Sequence, residues 1–243
     1  MCTDCGCSPP PKHQHDAAKK TVQIEKNLLD KNDRLAAQNR ARFSDEDILV
    51  INLLSSPGSG KTTLVEETVT DLGAQLRFAV LEGDQQTSHD ADRIAATGTP
   101  AHQINTGSGC HLDAHMVGHG VEHFTLPDTD VLIIENVGNL VCPASFDLGE
   151  DLKATVLSVT EGDDKPLKYP QMFRASDVLL INKIDLLPHV RFDLDACRRY
   201  ALGIRPDLKI FEISCYDKTG MNLWYNWLKT AHKQKTSGTS SCA

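Results

Sequence analysis

One glycine-rich stretch of the chain decides its fold: Ser55-Ser56-Pro57-Gly58-Ser59-Gly60-Lys61-Thr62-Thr63. It follows an apolar run at residues 48–54 and precedes a helix-like segment at residues 64–72. In a strand, glycine turn and helix of this kind, the backbone N–H groups wrap a phosphate and the helix N-terminus adds a favourable dipole. The usual pattern has glycine where Ser55 stands, so the match is a near one. We predict a nucleoside triphosphate site, with a chance glycine turn as the alternative.

The polar residues of this phosphate loop (residues 55–63) have expected roles. Lys61 would reach the β- and γ-phosphates, and the Thr62 hydroxyl would bind Mg²⁺. The residues of the loop that are predicted to bind the nucleotide are Gly58, Ser59, Gly60, Lys61, Thr62 and Thr63.

Composition excludes several classes of protein. The formal net charge of −8 over 243 residues argues against general nucleic-acid binding, which needs a basic surface. No apolar run approaches the length of a membrane span, and the polar N-terminus lacks the apolar core of a signal peptide. We therefore expect a cytoplasmic protein with no nucleic-acid partner. Its eight cysteines then indicate metal or redox chemistry rather than disulfides.

Residues 44–232 alternate between strand-like and helix-like segments. This alternation is typical of an α/β domain with a mostly parallel sheet and helices on both faces. Together with the phosphate loop, it predicts a P-loop NTPase with about seven strands. The strand-like runs lie at residues 48–54, 77–81, 101–105, 130–134, 155–159, 177–181 and 208–213.

Three polar segments flank this domain. Residues 1–16 are predicted to be a flexible, disordered arm that binds metal, and residues 17–43 one long polar helix. Residues 233–243, rich in Ser and Thr, are predicted to be a disordered tail. The thin apolar stripe expected to dock the helix consists of Val22, Leu28, Leu29 and Leu35.

The run Asn182-Lys183-Ile184-Asp185 indicates which base is bound. Its aspartate can accept two hydrogen bonds from the N1–H and N2–H₂ groups of guanine, whereas adenine would leave the carboxylate unpaired. Asn182 would act on the other edge of the base, and the Lys183 stem would cover its face. A later run that begins with Ser214 and Cys215 looks like the loop that closes over guanine in many GTPases. GTP and GDP are therefore the predicted ligands.

Two acidic elements at predicted strand ends are candidates for Mg²⁺ binding. Glu135 can hold the ion or its water, and the N–H of Gly138 can reach the γ-phosphate; the common GTPase pattern has aspartate in place of this glutamate. Asp84 could complete the metal shell or orient water, with a cap for a helix starting near Ser88 as the alternative. The predicted magnesium ligands are Thr62, Asp84 and Glu135, and the predicted catalytic residues are Lys61, Asp84 and Glu135.

The N-terminus carries three thiols within six residues, at Cys2, Cys5 and Cys7. With the α-amine of Cys2, freed by removal of Met1, they could form a compact four-coordinate site. Thiolates favour soft or borderline metals, so the site could be planar for Ni²⁺ or tetrahedral for Zn²⁺. An unstructured cysteine-rich end is the alternative.

A second candidate metal site combines Cys110, His111 and Cys142. Cys110 stands at the predicted start of a helix, which would lower its pKa and favour the thiolate. If the loops carrying these residues meet at the carboxyl edge of the sheet, the three ligands leave one coordination position open or allow a second subunit to supply a ligand.

Histidines recur every four residues, at His111, His115, His119 and His123. We interpret them as a solvated stripe on one face of a helix, with an additional metal-binding surface as the alternative.

At this point the motifs carry a family resemblance. The chain resembles the HypB family of hydrogenase nickel-incorporation GTPases, which belongs with the dimerising P-loop GTPases that include UreG. The Cys-Gly-Cys end and the Gly-Cys-His run favour HypB over UreG. The resemblance covers nearly the whole chain and rests on Cys2-Thr3-Asp4-Cys5-Gly6-Cys7, residues 55–63, Glu82-Gly83-Asp84, and residues 107–113, 135–143 and 182–185.

The resemblance implies a GTP-hydrolysing nickel metallochaperone, slow without a partner, that helps to insert nickel into the large subunit of nickel–iron hydrogenase. The first three cysteines resemble a high-affinity nickel site. Cys110, His111 and Cys142 resemble a nickel or zinc site at the interface of a GTP-dependent homodimer. The implied cofactors are GTP/GDP, Mg²⁺ and Ni²⁺, with Zn²⁺ as an alternative metal. The implied partners are a HypA-type accessory protein and the hydrogenase large subunit.

Nucleotide state would then change metal affinity, and metal would change nucleotide affinity by the same factor. Three other functions stay open at this point. They are a UreG-like GTPase for another nickel enzyme, a metal-buffering protein with a regulatory nucleotide site, and a kinase or carbon–nitrogen ligase on the same fold. The guanine motif argues against the last of these.

Overall fold

The computed structural model describes residues 12–84, 89–107 and 109–239, with side chains described from Asn27 onward. The predicted cluster of Cys2, Cys5 and Cys7 lies outside the described residues. The strands are β1 (Leu49–Ser55), β2 (Phe78–Asp84), β3 (Ala101–Asn105), β4 (Val131–Glu135), β5 (Leu152–Ser158), β6 (Val178–Asn182) and β7 (Lys209–Glu212). The helices are α1 (Lys12–Asp45), α2 (Lys61–Leu72), α3 (His89–Ala95), α4 (Ala114–Gly120), α5 (Lys165–Lys168), α6 (Pro170–Ala175), α7 (Leu194–Ile204) and α8 (Met221–Thr239).

In the described chain, the seven strands form one sheet in the order β3-β2-β4-β1-β5-β6-β7, and every neighbouring pair is parallel. The predicted P-loop NTPase architecture is confirmed. The central strands are mainly apolar because a parallel sheet is covered on both faces; all seven residues of β1 are buried, including the polar Asn52 and Ser55.

Helices cover both faces of the sheet. Leu49, Ile51 and Leu53 of β1 face α2 and α8, while Ile48 and Val50 face α1 and α4. Farther along the second face, α6 and α7 pack on β6. Because the strands are parallel, their carboxyl ends meet at one edge, where ligands bind in sheets of this kind. None of the described helices has an apolar stretch long enough to cross a lipid bilayer.

The N-terminal helix differs from its prediction in bounds and in packing. It begins at Lys12 rather than residue 17 and continues to Asp45, two residues past the predicted end. Of the predicted stripe, Leu28 is 59% exposed, Leu29 and Leu35 are half-buried, and the side chain of Val22 lies outside the described ones. The buried positions of α1 are Asn32, Ala36, Asn39 and Phe43.

Asparagine amides fix this helix to the domain. Asn39 Nδ2 donates to the carbonyls of Ala114 and Leu148 at 2.8 and 3.0 Å. Asn32 Oδ1 accepts from the Ala114 N–H at 2.9 Å. An apolar stripe could not signal this contact, because hydrogen bonds to loop backbone supply much of it.

The C-terminal helix also runs farther than predicted. Residues 233–239, expected in a disordered tail, continue α8 to Thr239. Lys235 Nζ lies 2.6 Å from Asp151 Oδ1 and 3.2 Å from Ser44 Oγ. These contacts fasten a segment whose composition alone is typical of a tail. Residues 240–243 lie outside the described chain.

Candidate functional site

The phosphate loop joins β1 to α2, which begins at Lys61. Gly58 and Gly60 have positive φ angles of 74° and 96°, a region that L-residues with a Cβ rarely adopt. A Cβ at Gly60 would also lie 2.6 Å from Asn182 Nδ2. Glycine is therefore required there both by the turn and by the close approach of the base-recognition element.

The serine that replaces the first glycine of the usual motif contacts the loop lysine. Lys61 Nζ donates to Ser55 Oγ at 2.8 Å, and both residues are buried. The same ammonium lies 3.8 Å from Glu135 Oε1. Ser55 and Glu135 thus supply polar partners for the buried ammonium group of Lys61.

The predicted magnesium ligands lie around the same point. Thr62 Oγ1 donates to Glu135 Oε1 at 2.9 Å, while Glu135 Oε2 is buried with no hydrogen-bond partner among the described residues. Asp84 ends β2 and lines the same cavity. A hard divalent cation prefers oxygen ligands of this kind. The hydroxyl, the carboxylates and the unsatisfied oxygen therefore fit Mg²⁺.

Glu82 is a residue of this cluster to which the sequence assigned no role. It lies opposite Glu135 in the register of β2 and β4, and its Oε2 also has no partner in the described chain. Burial, and then the neighbouring Glu135 carboxylate, raise the pKa of Glu82 far above its usual range. Burial likewise raises the pKa of Glu135. Only the pairing of β2 with β4 brings these carboxyl groups together, so no local motif could have signalled it.

These elements surround a cavity of about 580 Å³ at the carboxyl edge of the sheet. Arg93 of α3 also lines it, although its guanidinium is bound to Glu66 Oε2 at 2.5 Å. The remaining lining residues come from the predicted set or adjoin it: Pro57, Gly58, Gly60, Lys61, Thr62, Thr63, Glu82, Gly83, Asp84, Asp90, Glu135, Asn136, Val137, Gly138 and Lys183.

The predicted guanine residues lie together beside this cavity. Asn182 Nδ2 donates to the Ser59 carbonyl at 3.0 Å, and Asn182 Oδ1 accepts from the Cys215 N–H at 3.3 Å. Ser214 Oγ donates to Asp185 Oδ1 at 2.6 Å. The loop serine therefore orients the carboxylate that would read the base.

Lys183 completes the connection between the base element and the phosphate loop. It has a left-handed φ of 64°, and its Nζ donates to the Gly58 carbonyl at 2.7 Å. The aliphatic stem of Lys183 is thereby held next to the phosphate loop.

The two loops that carry the second candidate metal site converge. Cys110 and His111 lie between β3 and α4, and Cys142 starts a short 3-10 helix after β4. One ligand atom from each lies within 4.8 Å of the others, and Cys110 Sγ is 3.5 Å from His111 Nδ1. All three side chains are half-buried. We call Cys110, His111 and Cys142 the Cys–His–Cys trio.

The prediction that Cys110 stands at the start of a helix, and therefore has a lowered pKa, is wrong. Helix α4 begins at Ala114 and is capped by Asp113, so Cys110 lies in the loop before it. The hydrogen bond with Cys142 raises the pKa of Cys110, and burial adds to the increase. Burial lowers the pKa of His111, whose ring packs 3.9 Å from that of Phe146. A neutral imidazole is the form that binds metal.

The histidine recurrence does not form one helical stripe. Only His115 and His119 lie on α4, with ring centroids 4.6 Å apart. His123 belongs to the following 3-10 turn and stacks on His102 of β3 at 3.7 Å. Among the His, Cys, Asp and Glu side chains of the described chain, the trio is the one group of three whose ligand atoms all lie within 4.8 Å of one another.

With this geometry established, comparison with known proteins gives consistent relationships. A family model described as the CobW/HypB/UreG nucleotide-binding domain matches residues 49–212. The chain is 59% identical over 208 residues to a hydrogenase maturation factor HypB of Azotobacter chroococcum mcd 1, covering 86% of this chain and 68% of the relative. It is 56% identical over 212 residues to one of Escherichia coli K12, covering 87% and 73%.

Solved structures agree with the sequence relationships. The structure of HypB from Helicobacter pylori in complex with nickel superposes with a TM-score of 0.80 at 41% identity, over 86% of this chain and 96% of that one. The structure of hydrogenase maturation factor HypB from Archaeoglobus fulgidus superposes with a TM-score of 0.79 at 38% identity, over 84% and 100%.

Proposed function

The chain belongs to the CobW/HypB/UreG family of nucleotide-binding domains, and on this premise we propose that it is a GTP-hydrolysing nickel metallochaperone of hydrogenase maturation. One observation carries the proposal beyond the family. Cys110 and His111 lie on the loop after β3, which pairs with β2, and Cys142 lies on the connection after β4; the ends of β2 and β4 line the phosphate cavity. Two relatives that share more than half of their aligned residues with this chain are named hydrogenase maturation factors, and one neighbour was solved with nickel.

Hydrolysis depends on charge placed around the phosphates. Lys61 would contact the β- and γ-phosphates, and Thr62, Asp84 and Glu135 would hold Mg²⁺, which neutralises phosphate charge when bound. Arg93 lines the cavity but is bound to Glu66. Because Glu66 holds the Arg93 guanidinium, this arginine does not add its positive charge to the transition state, and we expect slow intrinsic turnover.

The metal cargo would respond to the nucleotide through the loop after β4. Gly138 packs against Pro57 of the phosphate loop, since a Cβ there would lie 3.0 Å from Pro57 Cα. Cys142 follows four residues later on the same connection. A shift of this loop between GTP and GDP would move one ligand of the trio relative to the other two. Linkage then requires nickel to change nucleotide affinity by the same factor.

The remaining assignments follow from the family. We propose that Cys2, Cys5 and Cys7 form a separate nickel site within residues 1–11, ahead of α1 and the GTPase domain. The trio would take nickel, or zinc in its place, at the interface of a GTP-dependent homodimer. A HypA-type protein and the hydrogenase large subunit would be the partners.

Steady-state GTP hydrolysis with Mg²⁺ tests the enzymatic part of the proposal. Lys61→Ala should lower turnover at least about 10²-fold, because a preorganised charge next to the phosphates is lost. The exposed Lys209→Ala should leave turnover unchanged. A wild-type chain that binds GTP but never turns it over would instead favour the metal-buffering alternative.

One relative favours a second enzyme as the recipient of nickel. A Helicobacter pylori protein named hydrogenase/urease maturation factor HypB is 41% identical over 92% of this chain and 93% of its own length. Service to another nickel enzyme is therefore the second candidate. Nickel transfer to apo-hydrogenase large subunit and to apo-urease, measured side by side, distinguishes the two.

A further inference from the structure

Asn136 is a buried residue between the nucleotide cavity and the trio, and its side chain makes three hydrogen bonds. It follows Glu135 directly, is 1% exposed, and its backbone N–H donates to the Leu53 carbonyl at 3.0 Å. Its side-chain Oδ1 accepts from the N–H groups of Leu112 and Val137, both at 3.0 Å. One oxygen thus joins the loop after β4 to the loop that carries His111.

The amide nitrogen extends the connection into the core. Asn136 Nδ2 donates to Asn52 Oδ1 at 3.3 Å, and Asn52 Nδ2 donates to Glu150 Oε1 at 3.3 Å. Glu150 Oε2 accepts from the Leu148 N–H at 2.6 Å. Asn52 is fully buried on β1. The side chain of Asn136 is therefore anchored to the rigid sheet and has little freedom to move independently.

Leu112 receives contacts from both nucleotide-lining strands. Its backbone is held by Asn136 after β4, and its fully buried side chain fills the space next to Gly83 of β2, where an added Cβ would lie 2.8 Å from Leu112 Cδ1. Leu112 follows His111 and Cys110 directly in the chain. Any displacement of the two strand ends relative to each other therefore acts on the residue next to the predicted metal ligands.

From this geometry we propose that Asn136 is a positioning residue that transmits nucleotide state to the Cys–His–Cys trio through its hydrogen bond to the Leu112 N–H. Asn136 lines the nucleotide cavity beside Glu135 but is not one of the predicted nucleotide or metal ligands. The inference rests on the proposed function, because it assumes that metal and nucleotide affinities are coupled. The hydrogen bond from the Leu112 N–H to Asn136 would link nucleotide state to Cys110 and His111. This link is separate from the chain segment that leads from Gly138 to Cys142.

The test measures a ratio rather than an affinity. In a full-length chain with Cys2, Cys5 and Cys7 changed to serine, Ni²⁺ affinity is measured with Mg²⁺–GDP and with a non-hydrolysable Mg²⁺–GTP analogue. Coupling of the usual size predicts a ratio of at least about 5. Asn136→Ala should reduce the ratio below about 2, although all three trio ligands and all predicted nucleotide ligands are retained.

The matched control is Ser176→Ala. Ser176 is also fully buried, and its hydroxyl makes two hydrogen bonds, with Thr155 Oγ1 and to the Met172 carbonyl, so the substitution removes buried hydrogen bonds away from the proposed path. The ratio should persist in this variant. A ratio that persists in folded Asn136→Ala, or that disappears in both variants, overturns the inference.

If Asn136→Ala does not fold, the wild-type chain still provides a test. Hydrogen exchange of the Leu112 amide should differ between the GDP and GTP-analogue states, because its acceptor is the proposed connection. Equal protection in both states contradicts the inference. A wild-type affinity ratio of 1 is a different outcome, since it removes the coupling in the proposed function and not only the role of Asn136.

Discussion

The nucleotide cavity and the Cys–His–Cys trio lie at the same edge of one sheet but differ in burial and in the elements that carry their residues. Lys61 and Glu135 have side chains only 9% and 3% exposed, placed by a helix start and a strand end. Cys110 and Cys142 are half-buried on two irregular loops. The cavity is assembled in advance of its ligand, whereas the trio depends on loops whose positions are set by neighbouring strands.

This difference matches the two tasks we propose. A preorganised cavity lowers the cost of binding GTP and of placing charge near its phosphates. A metal site on loops can change its ligand geometry when those loops move, so its affinity can be regulated. Perturbations of the cavity should therefore remove a function outright, while perturbations of the trio should weaken a response.

The largest effect is expected at the base-recognition element. Asp185→Ala removes a carboxylate that would accept two hydrogen bonds from guanine, each worth about 1.5–3 kcal/mol when one partner is charged. GTP affinity should fall about 10³-fold, and the preference over ATP should vanish. Competition binding with GTP and ATP measures both quantities. The exposed Asp195→Ala on α7 is the control, and a retained GTP preference in Asp185→Ala would show that the base is read elsewhere.

An intermediate effect is expected at the trio. Cys142→Ala removes one of three ligands and should weaken Ni²⁺ binding at this site about 10²-fold, since even loss of outer-shell support costs 10- to 100-fold. GTP turnover without metal should stay near the wild-type rate. Nickel titration in the background that lacks the three N-terminal cysteines isolates the site. The control is Cys197→Ala, at a buried cysteine in the core, which should not change nickel affinity. Unchanged nickel binding in Cys142→Ala would show that Cys142 is not a ligand of this site.

The smallest effect is expected at the opposite edge of the sheet. Asp130 accepts from the Arg77 guanidinium and backbone N–H, at 2.6 and 2.7 Å, and this hydrogen bonding lowers the pKa of Asp130. The carboxylate therefore stabilises the fold above its unfolded pKa, and the contribution is lost as the pH falls through the lowered folded value. Asp130→Asn should slightly decrease the melting temperature at pH 7.

The pH dependence distinguishes this effect from a general loss of packing. At a pH below the lowered folded pKa of Asp130 the wild-type carboxylate is protonated, so the two chains should then melt at nearly the same temperature. The coupling between nucleotide and metal should be unchanged in Asp130→Asn. A change in that coupling would mean that overall stability, rather than the connection between the two sites, controls it.

The sequence predicted the fold because the fold follows local patterns, and the candidate nucleotide residues, which also follow such patterns, lie close together in the structure. The phosphate loop, the Asn182–Asp185 run and the strand ends all occur as short segments, and parallel pairing brings strand ends to one edge. The grouping of Cys110 with Cys142 followed from the same rule. What could not be predicted depends on side-chain contacts across distant segments, such as the Glu82–Glu135 pair on neighbouring strands.

The errors have physical causes. Cys110 was expected at a helix start, but Asp113 caps α4 three residues later and leaves the cysteine in a loop. Helix α1 buries Asn32 and Asn39, whose partners are loop carbonyls and N–H groups, together with Ala36 and Phe43. The polar end of α8 is fastened by Lys235 to Asp151. Polar contacts of this kind leave no hydrophobic period in the sequence.

The central claim is that nucleotide state controls metal affinity at the trio. Nickel affinity of the full-length chain, with Cys2, Cys5 and Cys7 changed to serine, measured with Mg²⁺–GDP and with a non-hydrolysable Mg²⁺–GTP analogue, tests it most directly. We predict a difference of at least about fivefold, matched by an equal change in nucleotide affinity when nickel is added. Equal nickel affinity in the two states would contradict the claim.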